Sequence, residues 1–292
     1  MKTRELAIVA LAVTAALVSV ASGGAPMGPP TAFLGEGRWS VGAEYGYEQA
    51  RMNSSGTVTE RFLDDSEFFW TQSFEIDDLK SNMVFGTLGF GLSDNWDIFA
   101  RVGASDAKGR ILVPPADTDA LARQDDTDGS FGFAWGAGTR ATFCRTGPWS
   151  FGGLMQVTWF HPGDSSFTVA DPLIPDESWV GDASLSYWQA QAALAAVYQV
   201  DALRFWAGPF LQFVRGDMDF NGNAVLNEGG GVSTIRWSSK LEESSQIGGH
   251  VGLNLELADE WNLWVEGQIT GDSWLVGVGG VFVPGKKKAF DM

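Results

Sequence analysis

Between Ser93 and Ser105 the chain reads SDNWDIFARVGAS, and after a polar turn its side chains alternate. Trp96, Ile98, Ala100, Val102 and Ala104 share one face; Asp97, Phe99, Arg101, Gly103 and Ser105 share the other. A period of two predicts a β-strand. The same alternation recurs in pairs of runs joined by short turns. Ser81–Leu92 leads through SDN to Trp96–Ser105, and Phe131–Phe143 leads through CRTGP to Trp149–Phe160. Leu185–Tyr198 leads through QVDAL to Arg204–Val214, and Ile247–Leu257 leads through ADE to Trp261–Thr270. An opening run, Arg38–Gln49, and a closing one, Ser273–Val283, bring the expected strands to ten.

The connections at the other ends are long, over 52–79, 106–130, 162–183 and 216–244, apart from a short one at Gly271 and Asp272. Short turns at one end and long loops at the other are the asymmetry of an up-and-down transmembrane β-barrel. Strands of about 9–11 residues suffice for a tilted crossing. In the first long connection TVTERFL and FFWTQSFEI also look extended. They either continue their neighbours beyond the membrane or add a hairpin, which would make twelve strands.

The direction of the faces decides between a barrel in lipid and a secreted soluble β-protein. The strand windows contain seven charged residues, Glu44, Glu48, Asp97, Arg101, Arg140, Glu256 and Glu266, all opposite the more apolar face. That apolar face carries most of the aromatic rings, and the charged face is rich in glycine. Large rings backed by glycine suit a narrow barrel interior better than a compact soluble core. Trp39, Trp96, Trp149, Phe205 and Trp261 open strands that leave short turns or begin the barrel, which sets a ring at one constant height. Such a row is the pattern of an interfacial girdle. The expected fold is therefore all-β, a single antiparallel barrel with its apolar face toward lipid.

The ends bear on location. Lys2 and Arg4 precede an apolar run, Leu6–Val20, and then SVASGGA. This is the pattern of a secretory signal peptide cleaved between Ala21 and Ala25. The expected organisation is a signal peptide over 1–25, a periplasmic segment over 26–37, the barrel over 38–283 and a periplasmic tail over 284–292. The one cysteine, Cys144, cannot form an internal disulfide. A formal net charge of -17 argues against nucleic acid as a partner.

With these features the chain resembles Gram-negative outer-membrane β-barrel proteins of the broad OmpA-like and porin-like group. The resemblance rests on the leader, the alternation across 38–283, the turn-then-Trp elements SDNW, TGPW and ADEW, and the closing strand SWLVGVGGVFV. It implies outer-membrane lipid and the barrel-assembly machinery as partners. Two features depart from it. PGKKKAFDM follows Val283, where many members end on an aromatic, and no peptidoglycan-binding domain follows the barrel.

Inside such a barrel Glu44, Asp97, Arg101, Arg140, Glu256 and Glu266 form a candidate charge cluster, with Gln156, Gln189, Gln191, Gln212, Asn254 and Gln268 offering hydrogen bonds. The cluster reads either as the constriction of a narrow channel for small solutes or as a polar plug that holds the barrel shut. A non-conducting structural or surface-interaction barrel is the alternative function. The two histidines, His161 and His250, lack any GxSxG or HExxH context, so no enzyme is expected. The four long connections hold 23 of the 36 acidic residues and six Lys or Arg, which predicts a negative rim that favours cations. Within them DMDFNGNAVLNE matches a calcium-loop spacing through Asp217, Asp219, Asn221, Asn223 and Glu228. An Asn221-Gly222 hairpin in an acidic loop explains the same residues without an ion.

Overall fold

A computed structural model of the chain describes residues 24–113, 123–170, 177–226, 231–243, 246–258 and 260–285. Residues 1–23 of the expected leader (1–25) and the tail beyond Gly285 lie outside these residues, whereas Gly24 and Ala25 of that leader are described and buried. In chain order the strands are β1 (Trp39–Phe62), β2 (Glu67–Ser93), β3 (Trp96–Ser105), β4 (Lys108–Val113), β5 (Arg123–Asp128), β6 (Gly132–Thr146) and β7 (Trp149–His161). They continue as β8 (Ser165–Ala170), β9 (Glu177–Val200), β10 (Leu203–Leu226), β11 (Gly231–Glu242), β12 (Ile247–Ala258), β13 (Trp261–Ile269) and β14 (Ser273–Phe282).

Ten of them, β1, β2, β3, β6, β7, β9, β10, β12, β13 and β14, close an antiparallel ring. The seam runs from Val41 opposite Phe282 to Ala50 opposite Ser273. Tight turns join the ring at its lower end. The β6–β7 turn needs a left-handed residue, supplied by Gly147 at φ 58°; the β9–β10 turn uses Asp201 at φ 52°. The count of ten stands, and the twelve-strand alternative does not. TVTERFL and FFWTQSFEI are the upper parts of β1 and β2, which pair with each other from Met52–Ile76 up to Arg61–Glu67.

The upper parts of the long strands build a second tier. There β1 pairs with β11, β11 with β10, β10 with β9 and β9 with β8, while β2 carries β4 and β5. The side-chain pattern inverts between tiers. On β1 the outward positions Val41, Ala43, Tyr45 and Tyr47 are apolar or aromatic, and the inward ones include Glu44 and Glu48. From Ala50 upward the inward positions Ala50, Met52 and Val58 are apolar, beside the buried polar Ser54 and Glu60, and Arg51, Asn53, Ser55 and Thr57 point out. The lower tier is thus apolar outside and polar inside, as lipid requires. The upper tier has the polarity of a protein in water. Its core holds Met52, Met83, Phe85, Phe160, Phe220 and Ile235, all essentially fully buried. Removing each of these from water contributes roughly 1.5–3 kcal/mol.

The segment 26–37, expected as a periplasmic stretch, instead runs along the inside of the ring. From Ala25 to Leu34 its residues are mostly buried, and they bond to side chains of the barrel wall. The sequence PMGPPTAF suits burial, since Pro26, Pro29 and Pro30 carry no N–H that would need a partner.

Candidate functional site

The lower lumen is organised around that threaded segment. At mid-depth Arg101 of β3 donates from Nη1 to the Pro26 carbonyl at 2.7 Å and faces Glu44 of β1 at 3.5 Å. Its Nη2 bonds Gln156 of β7. Gln156 Nε2 donates in turn to Gln191 of β9 at 2.6 Å, and Gln191 donates to both Gln212 and Gln268 at 2.9 Å. Gln268 Nε2 reaches Glu266 Oε1 and the Ala25 carbonyl, each at 3.0 Å. The result is a belt of side chains from six strands, joined around Ala25 and Pro26.

Glu266 closes the belt by accepting the backbone amides of Met27 at 2.6 Å and Gly28 at 3.0 Å. One carboxylate clamping two successive N–H groups makes charge-assisted bonds, which are stronger than neutral ones. Nearer the short turns, Asp97 Oδ2 accepts the amides of Phe33 at 2.9 Å and Leu34 at 3.4 Å, and Arg140 donates to the Pro29 carbonyl at 3.2 Å. Phe99 lies between the two guanidinium groups, 5.6 Å from Arg101 and 4.7 Å from Arg140. Desolvated cation–π contacts of this kind are worth up to ~2 kcal/mol.

Of the six expected cluster residues, Glu44, Arg101 and Glu266 share the belt, while Asp97 and Arg140 hold a second level below it. Glu256 is elsewhere: it pairs with Arg204 at 2.6 Å in a half-buried position toward the short-turn end. Missing from the sequence reading was the common object these groups bind. It also passed over two inward rings, Trp206 and Trp264, that fill the wall where Gly252 and Gly279 leave room.

The girdle residues Trp39, Trp96, Trp149 and Trp261 are about half exposed on the outer face, and Phe205 is partly covered. Several lean on an aromatic of the neighbouring strand at the same height. Trp39 meets Phe90 at 4.6 Å, Trp149 meets Tyr198 at 4.7 Å and Trp261 meets Phe282 at 5.0 Å. The calcium-loop residues are not brought together. Asp217, Asp219, Asn221 and Asn223 lie in β10, flanked by β9 and β11, and point outward one after another along one face. An extended chain spaces alternate residues ~6.6 Å apart, too far for one ion to gather four of them. Asp217 instead pairs with Lys240 at 2.5 Å. Glu228 lies outside the described residues. His250 Nε2 meets the Leu194 carbonyl at 3.2 Å, and His161 Nδ1 meets the Ser186 hydroxyl at 2.9 Å.

The structure is similar to outer-membrane β-barrels that have been solved. OprG from Pseudomonas aeruginosa is 10% identical, with a TM-score of 0.41 over 86% of this chain and 97% of that one. The translocator domain of the autotransporter NalP from Neisseria meningitidis is 12% identical, with a TM-score of 0.39 over 96% and 95%. The Pseudomonas putida toluene transporter TodX is 9% identical, with a TM-score of 0.29 over 81% and 88%. No family model matches the sequence, and no curated protein matches it. By its own hydrogen bonding the chain is an all-β antiparallel barrel with ten strands in the ring.

Proposed function

We propose that this chain is a narrow, gated channel for small solutes in the outer membrane, closed at rest by its own N-terminal segment. One observation carries the reading. At membrane depth the polar wall groups spend their bonds on residues 25–34, which are no part of the wall. Take that segment away and the ring keeps a lumen lined by Glu44, Arg101, Gln156, Gln191, Glu266 and Gln268, a hydrophilic path with both signs of charge. The acidic loops above would favour cations at its mouth. The chain needs no catalytic group for this role.

The apolar core of the upper tier favours a second reading, a non-conducting structural barrel, because it seals the same axis a second time. Planar-bilayer recording separates the two. A gated channel gives rare, brief openings in the intact protein and steady steps when residues 24–34 are deleted. Silence from both proteins, with folding checked by heat-modifiable gel migration, would establish the structural barrel and end the channel reading.

A further inference from the structure

At the top of the polar lumen the described part of the threaded segment begins, beside carboxylates that have no cation among the described residues. Gly24 is wedged between Gln189, Gln191 and Gln212: a Cβ added there would collide with the side-chain amides of Gln191 and Gln212. Its backbone N–H faces the Glu48 carboxylate. Gln212 also donates to Glu243 Oε2 at 2.6 Å, and Glu243 Oε1 takes the Thr270 hydroxyl at 3.1 Å as well as the Ser273 hydroxyl. Glu48 is 4% exposed and Glu243 6%. Among the described residues neither forms an ion pair. The two Arg residues of the lumen are committed lower down, Arg101 beside Glu44 and Arg140 near Pro29. Around that level the interior turns apolar, with Leu275 opposite Glu48 and with Leu79 and Met83 on β2. Two buried carboxylates without a countercharge are strongly unfavourable.

Cleavage between Ala21 and Ala25 would create a new α-ammonium within two residues of Gly24. We propose that Glu48 and Glu243 form a binding site for the amino terminus of the processed chain, so that export itself completes the plug. The ammonium brings one positive charge and three donors to a place where two carboxylates converge. An unprocessed chain carries a neutral amide at that point, so the site gains its positive charge only after the leader is removed. The inference rests on both the leader and the plug.

The test is amine-selective labelling of the exported, detergent-solubilised protein, with the first residue established by peptide mass mapping. A first residue between Ser22 and Ala25 upholds the leader; any other start overturns leader and latch together and leaves the channel reading to its own recordings. Given that start, we expect the terminal amine of the folded barrel to react at least about tenfold more slowly than in the unfolded chain, the effect of one unit of pKa. Labelling should return toward the unfolded rate in the Glu48→Gln and Glu243→Gln variants that still migrate as folded barrels. Equal rates in folded and unfolded wild type, or variants as slow as wild type, would overturn the proposal. A second measurement needs no variant. Unfolded wild type whose amines are reductively methylated, which keeps the charge, should refold with the segment seated, and acetylated protein should not. Equal seating after both treatments, read by the slow oxidation of Met27, would also overturn it.

Discussion

Arg101 Nη1 lies 2.7 Å from the Pro26 carbonyl, and the same guanidinium sits 3.5 Å from Glu44. One buried side chain thus ties the barrel wall to itself and to the segment inside it. Arg101→Ala would leave Glu44 buried without its partner, a loss of about 3–5 kcal/mol when one member of a buried pair is removed. It would also free the Pro26 carbonyl. The expected outcome is a lower urea midpoint for refolded protein in vesicles and more frequent openings in planar bilayers. Arg101→Lys keeps the charge but not the planar fork, and should fall between the two. A variant with the wild-type midpoint and wild-type currents would show that the belt does not hold the plug.

Glu266 offers a test of seating that does not depend on conduction. It accepts the amides of Met27 and Gly28, and hydrogen bonds to a charged partner are worth about 1.5–3 kcal/mol. Replacing it with Ala should raise the unseated population at least about tenfold. Met27 is buried in the intact barrel, so its oxidation by peroxide reports unseating. Peptide mass spectrometry should find Met27 oxidised markedly faster in Glu266→Ala, with Met52 and Met83 of the upper core unchanged. If Met27 and Met83 accelerate together, the substitution has loosened the whole barrel.

The strand order, the ten-strand ring and the inward charges were legible because lipid on one side and a lumen on the other impose a strict period of two. The upper tier was legible only as extended, since the same period continues there with its polarity reversed. In β10, DMDFNGN follows that rule: Asp217, Asp219 and Asn221 point out while Met218 and Phe220 point into the core. A motif search reads those alternating acids as an ion-binding loop because it sees spacing and not the pleat. Met83 and Phe85 looked out of place on the glycine-rich face of β2 for a related reason. They lie at the height where the interior turns from polar to apolar. The plug was not legible at all. GGAPMGPPTAF has no period, and its partners Asp97, Arg101, Glu266 and Gln268 are far away in sequence and meet only once the ring closes.

Above the ring, the tip of the β1–β2 hairpin gives a pH prediction. Asp64 Oδ1 accepts the Ser66 hydroxyl at 2.5 Å and the Ser66 amide at 3.0 Å, and these bonds hold its carboxyl below the ordinary value of 3.8. A depressed carboxyl stabilises the turn fully above the unfolded value, and that contribution is lost as pH falls through the lower folded one. The tip should therefore keep its structure at pH 4 and loosen only in stronger acid. The side-chain NMR titration of Asp64 should give a midpoint below 3.8, and Ser66→Ala should return it toward the ordinary value. A midpoint at or above 3.8 in the wild type would contradict the bonding seen here.

The girdle tests the orientation on which every lumenal assignment depends. Trp39, Trp96, Trp149 and Trp261 stand on the outer face near the short-turn end, and Trp206 and Trp264 point inward. In vesicles with brominated lipids, quenching falls steeply with distance from the bromine. Variants keeping only outer tryptophans should be quenched most by bromines near the headgroups, where an indole can bury its ring and leave its N–H wet. Variants keeping only Trp206 and Trp264 should be quenched far less. Trp149→Ala removes the contact with Tyr198 at 4.7 Å and should cost roughly 0.5–1.5 kcal/mol for the aromatic pair, besides its area, in urea unfolding from vesicles. Equal quenching of the two sets would mean that the wall does not separate lipid from lumen as the side-chain alternation requires.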